Sequence, residues 1–283
     1  MKLLFLLVLT FVAAHDTAYA QPDAKRARLR EESFQSQALG RSMKYRVLVP
    51  QDYDAADRRY PVLYLLHGLT GDYKDWTTRT NLAEYTRTMA LIVVMPDGEN
   101  QWYTNAAEGN ARFEDYITTD LPADVVQKYR TVNSRYGRAI AGLSMGGYGA
   151  LKIALRRPAQ FAVTGSFSAA FAVTREGELE KAIGGGVEAE RMGKIFGPSG
   201  SDTRKQNDVF ALAAAMKPAA SPYVYIDCGT ADGLIASNRE VVAALQKAGV
   251  AYEYHEIAGG HSWDYWDRRV REFLPILMKK LAN

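Results

Sequence analysis

The strongest constraint on the fold is a series of short, largely apolar blocks that alternate with stretches of helical character. The apolar blocks cover residues 62–66, 91–95, 138–141, 162–167 and 223–226. Such short apolar runs are typical of strands that are buried on both faces of a parallel sheet. Helical patterns cover residues 81–89, 113–129, 148–157, 237–248 and 265–281. This order predicts an α/β protein with a mostly parallel, doubly wound sheet and right-handed crossovers.

Three segments depart from this alternation. Residues 43–49 and 251–257 alternate between apolar and polar side chains, which predicts two further strands, the first of them antiparallel. Residues 169–220 contain a Gly triplet at 184–186 and a helical stretch at 208–216, but no clear strand. We interpret residues 169–220 as an insertion over the carboxyl edge of the sheet, where open α/β sheets bind ligands. The alternative is an ordinary long crossover without a functional role.

Composition limits which binding partners and which metal sites the chain can have. The 283 residues carry 35 Lys and Arg against 32 Asp and Glu, a balance too even for a dedicated nucleic-acid surface. The single cysteine, Cys228, excludes an internal disulfide, and together with only 4 histidines it excludes the common Cys/His zinc patterns. We therefore expect one domain that is stabilised by packing, without a metal, and with a small neutral or weakly charged partner.

The N-terminus has the pattern of an export signal. Lys2 precedes an apolar run at residues 3–14, and Ala-Tyr-Ala at 18–20 fits a cleavage site. We expect residues 1–20 to be a cleaved signal peptide and residues 21–283 to form a single secreted or periplasmic domain. The alternative is a membrane anchor, but the apolar run is much shorter than the ~20 residues that span a bilayer. A stable membrane anchor is therefore not expected.

A serine motif lies at the turn between a predicted strand and the next helix. The sequence Gly142-Leu143-Ser144-Met145-Gly146-Gly147 follows the strand at 138–141 and precedes the helix at 148–157. Small residues around the serine permit the strained turn of a nucleophile elbow, which raises the hydroxyl above the sheet edge at a helix N-terminus. We therefore predict that Ser144 is a catalytic nucleophile.

Acyl transfer to a serine also requires two backbone N–H groups that bind the developing oxyanion. In this type of site one belongs to the residue after the serine, here Met145, and the other to the loop after an early strand. The strand at 62–66 precedes the loop His67-Gly68-Leu69, so we predict the Leu69 N–H as the second donor. His67 is interpreted as a residue that shapes the loop.

The nucleophile needs a histidine base that follows it in the chain. Of the 4 histidines, His15 lies in the leader, His67 precedes the serine and His255 lies on a predicted strand. His261 lies in a Gly-rich loop before the last helix, where an imidazole can reach over the sheet edge. We predict that His261 is the general base.

Three aspartates lie in the part of the chain where the acid of such a site is expected. Asp227 ends an apolar block, and Asp264 lies in the first turn of the last helix, where carboxylates are common because of the helix dipole. Asp232 lies in the loop that leaves the carboxyl edge of the sheet. We predict Asp232 as the acid that orients His261, with Asp227 as the alternative.

These motifs together resemble one known family. The matching segments are Leu-His-Gly-Leu at 66–69, Pro-Asp-Gly at 96–98, Trp-Tyr-Thr-Asn at 102–105, the serine motif at 142–150, Cys-Gly-Thr-Ala-Asp at 228–232 and Gly-Gly-His-Ser-Trp at 259–263. Over residues 36–277 the chain resembles the esterase D or S-formylglutathione hydrolase-like branch of the α/β-hydrolases. That branch includes tributyrin, acetylxylan and feruloyl esterases and secreted mycolyltransferases. The resemblance implies an α/β-hydrolase fold and a cofactor-free serine hydrolase with Ser144, Asp232 and His261 as its triad.

Aromatic residues near these motifs are candidates for the substrate pocket, because ligand pockets combine aromatic walls with a few polar anchors. The predicted contacts are Trp76, Tyr103, Asn105 and Trp263, with Trp102 and Trp266 as further candidates. For each aromatic, packing in the core is the alternative, since large aromatic side chains are buried on average.

The motifs predict an exported carboxylic ester hydrolase that acts on short-chain, acetyl or feruloyl-type esters, either small molecules or carbohydrate-linked. The leader departs from the mostly cytosolic glutathione thioester hydrolases of the family and favours esters met outside the cytoplasm. Three alternatives stay open: an acyltransferase that uses the same acyl-enzyme, an S-formylglutathione-type thioesterase, and a catalytically silent binding module. The intact Ser-Asp-His order argues against the binding module.

Overall fold

One open sheet organises the part of the chain that the computed structural model describes, residues 28–175 and 187–281. Its strands are β1 (Leu29–Ser36), β2 (Arg41–Leu48), β3 (Val62–Leu66), β4 (Ile92–Pro96), β5 (Arg138–Leu143), β6 (Val163–Phe167), β7 (Tyr223–Gly229) and β8 (Tyr252–Ile257). The 8 strands lie in the order β1-β2-β4-β3-β5-β6-β7-β8. The β1–β2 and β2–β4 pairs are antiparallel and the others are parallel. The predicted signal peptide and the Gly triplet at 184–186 lie outside the described residues.

Helices cover both faces of the sheet. In the described residues they are α1 (Asp75–Thr78), α2 (Leu82–Tyr85), α3 (Phe113–Asp115), α4 (Leu121–Lys128), α5 (Met145–Arg156), α6 (Val187–Phe196), α7 (Asp202–Gln206), α8 (Val209–Ala215), α9 (Ile235–Lys247) and α10 (Trp263–Leu281). A π-helical turn at Tyr116–Asp120 joins α3 to α4. The helix predicted at 81–89 is thus only the short α2, and the helix predicted at 113–129 is interrupted by the π turn.

The five apolar blocks form β3 to β7, and this confirms the predicted α/β class with a mostly parallel sheet. Their side chains alternate between two layers of core. In β3, Val62, Tyr64 and Leu66 pack on the face that carries α5 and α9. Leu63 and Leu65 pack on the opposite face, which α10 covers. Both faces are buried, and this is why the sequence of these strands shows no alternation.

Strand β1 was not predicted from the sequence. Its sequence, Leu-Arg-Glu-Glu-Ser-Phe-Gln-Ser, is mostly polar and charged, yet it pairs with β2 from Leu29 to Ser36. β1 lies at the edge of the sheet, where charged side chains can face water and discourage pairing with other chains. β2 is the antiparallel strand predicted at 43–49, and it begins two residues earlier than predicted.

The insertion between β6 and β7 contributes α6, α7 and α8, with no strand among its described residues. Phe196 of α6 packs edge-on against Trp102 and Tyr148, with ring centroids 6.4 and 6.1 Å apart. Helix α8 packs on α5 and α9. Ala170 brings the start of the insertion to the carboxyl edge of the sheet, beside the cleft described below. The rest of its described residues support the helical layer next to that edge.

The single cysteine belongs to the core. Cys228 lies on β7 as a free thiol and is fully buried. On the α10 face of the same sheet, Phe273 packs against Phe167 and Tyr225, with ring centroids 5.5 and 5.1 Å apart. Packing of this kind, without a disulfide, holds α10 against the carboxyl half of the sheet.

Candidate active site

The topology of the sheet determines where a ligand can bind. From β3 the chain crosses to β4 on one side, whereas from β5 it crosses to β6 on the other side. The loops after β3 and β5 therefore diverge at the carboxyl edge and leave a crevice, which is the usual ligand site of open α/β sheets. The loop with Leu69 and the turn with Ser144 flank this crevice.

Ser144 forms the sharp turn between β5 and α5. Its backbone has φ 50° and ψ −115°, and its N–H donates to the carbonyl of Phe167 at 2.9 Å. A left-handed φ is uncommon for a residue other than glycine, and such strain persists only where the surrounding structure enforces it. Gly146 permits the close approach of β3, because a Cβ there would lie 2.5 Å from the carbonyl oxygens of Leu66 and His67.

The structure brings Ser144, His261 and Asp232 together. His261 Nε2 lies 2.9 Å from Ser144 Oγ, and His261 Nδ1 lies 2.9 Å from Asp232 Oδ2. The turn that carries Asp232 is held to the His261 loop by the Ala231 N–H, which donates to Gly259 O at 2.9 Å. The His261 side chain is 38% exposed, so water can reach the imidazole.

Asp232 is buried and its charge is supported. Burial raises the pKa of its carboxyl, but the hydrogen bond to His261 and the backbone hydrogen bond from Leu234 outweigh this and hold the pKa below the usual range. The Leu234 N–H lies 2.9 Å from Asp232 Oδ1. The Asp232 side chain is therefore an anion that accepts from the imidazole.

The two other candidate acids lie apart from the imidazole. Asp227 is fully buried and its Oδ2 lies 3.2 Å from Arg269 Nε. Asp264 is exposed in the first turn of α10. Neither carboxylate forms a hydrogen bond with His261 in the described part of the chain.

Of the two predicted oxyanion donors, one lines the cleft and the other directly follows Ser144. Leu69 lines it, and Met145 is the first residue of α5, whose N–H has no partner within the helix. Among the described residues neither the Leu69 N–H nor the Met145 N–H donates to another protein group. Both amides are therefore available to an oxygen bound beside Ser144.

The cleft around these groups has a volume of about 560 Å³, which is in the range of small-molecule sites. Trp102, Trp263 and Trp266 form apolar walls, and Asp75 and Arg79 add an ion pair to the lining. Arg79 Nε lies 3.3 Å from Asp75 Oδ1, and the guanidinium lies 5.5 Å from the centre of the Trp263 ring.

Of the four predicted substrate contacts, one lines the cleft and three do not. Trp263 lines the cleft, but Trp76 is 1% exposed and donates from its indole to Leu66 O at 3.0 Å. Tyr103 is completely buried, and Asn105 accepts from the Asp115 N–H at 3.1 Å and does not line the cleft. In this structure Trp76, Tyr103 and Asn105 are used in packing and loop structure, so the cleft lining does not support the prediction that they contact substrate.

Trp102 lines the cleft in place of its neighbour Tyr103. Both residues have left-handed backbone angles, with φ values of 53° and 51°. No residue type at these positions signals such a turn, so the sequence could not tell which aromatic side chain faces the cleft. Arg79 and Asp75 were not predicted either, because one ion pair at the two ends of a single-turn helix carries no motif.

Residues 28–175 and 187–281 contain neither a candidate metal cluster nor a candidate membrane-spanning helix. No group of three or more His, Cys, Asp or Glu side chains in these ranges could hold a metal ion. No helix in them is long and apolar enough to cross a bilayer.

Comparison with known proteins places the chain in a family. The model of a family described as putative esterase matches residues 36–276. The chain belongs to this esterase family. This confirms the resemblance inferred from the motifs.

Three relatives show the range of this similarity. An acetyl esterase of Caldicellulosiruptor saccharolyticus is 27% identical over 248 residues, which are 84% of this chain and 93% of the relative. A diacylglycerol acyltransferase/mycolyltransferase of Mycobacterium leprae is 28% identical over 278 residues, 87% of this chain and 82% of the relative. The structure of a fluorophosphonate-binding serine hydrolase of Staphylococcus aureus, with substrate bound, is 26% identical and has a TM-score of 0.76. That match covers 88% of this chain and 98% of the other, and it supports the α/β-hydrolase fold.

Proposed function

We propose that the protein is a serine carboxylic ester hydrolase in which Ser144 is the nucleophile, His261 the general base and Asp232 the orienting acid. The observation that carries the proposal is the pair of 2.9 Å contacts that link Ser144 Oγ to His261 and His261 to Asp232. A nucleophile that contacts a base, with the base oriented by a third group, is the arrangement that activates a serine hydroxyl.

The reaction proceeds in two halves. Ser144 Oγ attacks the acyl carbon while His261 Nε2 takes the hydroxyl proton, and the ester C–O bond breaks as His261 returns that proton to the leaving alcohol. Water then attacks the acyl carbon and gives a proton to His261; the acyl–Oγ bond breaks as His261 returns the proton to Ser144 Oγ, which releases the acid. In both halves the amides of Leu69 and Met145 bind the tetrahedral oxyanion.

The proposed substrates are short-chain, acetyl or feruloyl-type esters, either free or carbohydrate-linked. The cleft supports this class because its volume of about 560 Å³ admits a small acyl group and its tryptophan walls suit an apolar or aromatic one. The acetyl esterase among the relatives supports the same class. Export through the signal peptide at 1–20 is part of the proposal and rests on the sequence pattern alone.

Acyl transfer to an alcohol is the second candidate, and the mycolyltransferase among the relatives favours it. It uses the same acyl-enzyme, with an alcohol in place of water. Product analysis with p-nitrophenyl acetate and added glycerol or sugar separates the two functions. Acetylated glycerol as the main product indicates transfer, whereas acetate as the main product indicates hydrolysis.

The test of the nucleophile is Ser144→Ala, compared with Ser134→Ala as a control at an exposed position just before β5. We expect Ser144→Ala to lower kcat for p-nitrophenyl acetate by about 10⁴-fold or more, because only binding and oxyanion catalysis remain. A fluorophosphonate probe should label the wild type and Ser134→Ala at one serine, and should leave Ser144→Ala unlabelled. Activity within tenfold of wild type in a folded Ser144→Ala protein contradicts the proposal.

A further inference from the structure

Tyr103 is buried beneath the loop that follows β3. The ring fills the space next to two glycines, since a Cβ at Gly98 or at Gly149 would lie 2.2 or 2.6 Å from its atoms. The side chain is completely inaccessible to solvent and does not line the cleft. Whatever Tyr103 does for the reaction must therefore act through another residue.

The Tyr103 hydroxyl is one of the contacts that hold His67. It donates to the His67 carbonyl at 2.9 Å, while the Gly98 N–H donates to His67 Nε2 at 2.8 Å. Because Nε2 accepts, Nδ1 carries the ring hydrogen and donates to Gly68 O at 2.8 Å. That carbonyl and the Leu69 N–H belong to the same planar peptide, so holding the carbonyl also sets the direction of the amide.

Tyr103 is itself held from the opposite side by α5. Lys152 Nζ donates to Tyr103 O at 2.6 Å and to Thr104 Oγ1 at 2.9 Å, and it lies 3.0 Å from Glu114 Oε2. Lys152 is completely buried, and all three of its donors are used. These contacts oppose the strain of the left-handed backbone at Trp102 and Tyr103.

We propose that Tyr103 is a positioning residue for the reaction: through its hydroxyl it holds the His67 loop in the conformation that aims the Leu69 N–H at the oxyanion. The inference rests on the proposed function. Negative charge on the substrate oxygen develops only in the transition state, so a misdirected amide weakens transition-state binding more than substrate binding. The loss of the hydroxyl should therefore lower kcat and leave KM nearly unchanged.

The test compares Tyr103→Phe with Tyr148→Phe. Tyr148 is also completely buried, and its hydroxyl donates to the carbonyl of Asn207 at 2.8 Å, in the insertion. Each variant thus loses one buried hydroxyl–carbonyl hydrogen bond, and both should lower Tm by similar amounts. We expect Tyr103→Phe to lower kcat about tenfold, with KM within about twofold of wild type. Tyr148→Phe should keep both constants within about twofold.

A transition-state analogue provides the second readout. An alkyl boronic acid forms a tetrahedral adduct with the serine and places an oxygen between the oxyanion donors, so its inhibition constant should rise about tenfold in Tyr103→Phe and stay constant in Tyr148→Phe. Thr104→Val, which removes one acceptor of Lys152, should also lower kcat, but by less than Tyr103→Phe does. If both phenylalanine variants have the same kcat, or if only KM changes, the inference is wrong.

Ser144→Ala, measured in the same assay, separates this inference from the proposed function. If Ser144→Ala retains activity, the proposed function fails. If Ser144→Ala is inactive and Tyr103→Phe matches Tyr148→Phe, the proposed function stands and only the role of Tyr103 fails.

Discussion

Asp227 and Asp232 lie five residues apart, on β7 and in the turn that follows it, yet their environments differ. Both are buried, with 0% and 4% of the residue exposed. Asp227 faces Arg269 in the layer between the sheet and α10. Asp232 accepts from the His261 ring on one oxygen and from the Leu234 amide on the other.

The pKa values of the two carboxyls shift in opposite directions. Burial raises the pKa of Asp227 to about 7, and the nearby Arg269 lowers it only in part. For Asp232 burial is the largest single effect, but the hydrogen bonds from His261 and Leu234 and the charge interaction with His261 together outweigh it, so its pKa is lowered. Whether a buried carboxylate is charged therefore depends on the balance between burial and the hydrogen bonds and charges that surround its oxygens. Asp232 is suited to orient the imidazolium that forms at His261, and Asp227 is suited to anchor α10 to the sheet.

Asp232→Asn should have the largest effect. We expect kcat to fall by about 10⁴-fold, because an amide favours the imidazole tautomer that cannot accept the Ser144 proton. Steady-state kinetics on p-nitrophenyl acetate, with circular dichroism to verify folding, measure the change. A loss of less than tenfold, combined with a folded but inactive Asp227→Asn, would transfer the role of acid to Asp227.

Arg269→Met should affect stability rather than catalysis. Removing the guanidinium takes away the donor that meets the buried Asp227 carboxyl, and leaving a buried polar group without its partner costs about 1 to 3 kcal/mol of unfolding free energy. The control is Arg268→Met, an exposed neighbour on α10, which should stay within about 0.5 kcal/mol of wild type. Urea denaturation measures both variants. Equal stability of the two would show that Asp227 and Arg269 do not anchor α10.

The pH dependence of stability should have opposite signs for the two aspartates. The folded state holds the Asp227 proton more tightly than the unfolded chain does, so this contribution is complete below about pH 4 and declines as the pH rises toward 7. Asp232 stabilises the fold above about pH 4, and this contribution is lost as the pH falls through its lowered pKa.

Asp227→Asn should therefore remove a decline of about 4 kcal/mol between about pH 4 and 7, and Asp232→Asn should change the curve only at lower pH. Urea titrations between about pH 3 and 8 test this. A decline that persists in Asp227→Asn would mean that another group causes it.

Asp264→Asn should have the smallest effect. Asp264 is exposed and lies at the start of α10, where its interaction with the helix dipole contributes about 0.3 to 1 kcal/mol. We expect kcat within twofold of wild type, measured beside Asp232→Asn. A large loss of kcat at unchanged stability would give Asp264 a role at the site that its position does not indicate.

Much of the fold and the cluster at Ser144 could be predicted because both depend on chain order and residue type. Buried parallel strands require apolar runs, and the elbow requires small residues around Ser144. With few histidines in the chain, His261 could be selected by elimination. The roles of Ser144, His261 and Asp232 remain predictions until the variants are measured.

The details that the sequence could not predict depend on local backbone geometry. The left-handed angles at Trp102 and Tyr103 belong to a turn that neither residue type predicts; both rings are buried, and Trp102 also lines the cleft. Trp76 was predicted to line the pocket, but its indole N–H donates to Leu66 O in the core. β1 was missed because an edge strand needs pairing with a neighbour more than it needs apolar side chains.

The buried thiol on β7 has a practical consequence for redox conditions. Burial raises the pKa of Cys228 to about 12, so at neutral pH the side chain is a protonated thiol and a poor nucleophile. With only 1 cysteine in the chain, folding needs no disulfide exchange and should proceed equally in reducing and oxidising surroundings. A cysteine introduced on the surface can therefore be labelled selectively while the native thiol stays unmodified.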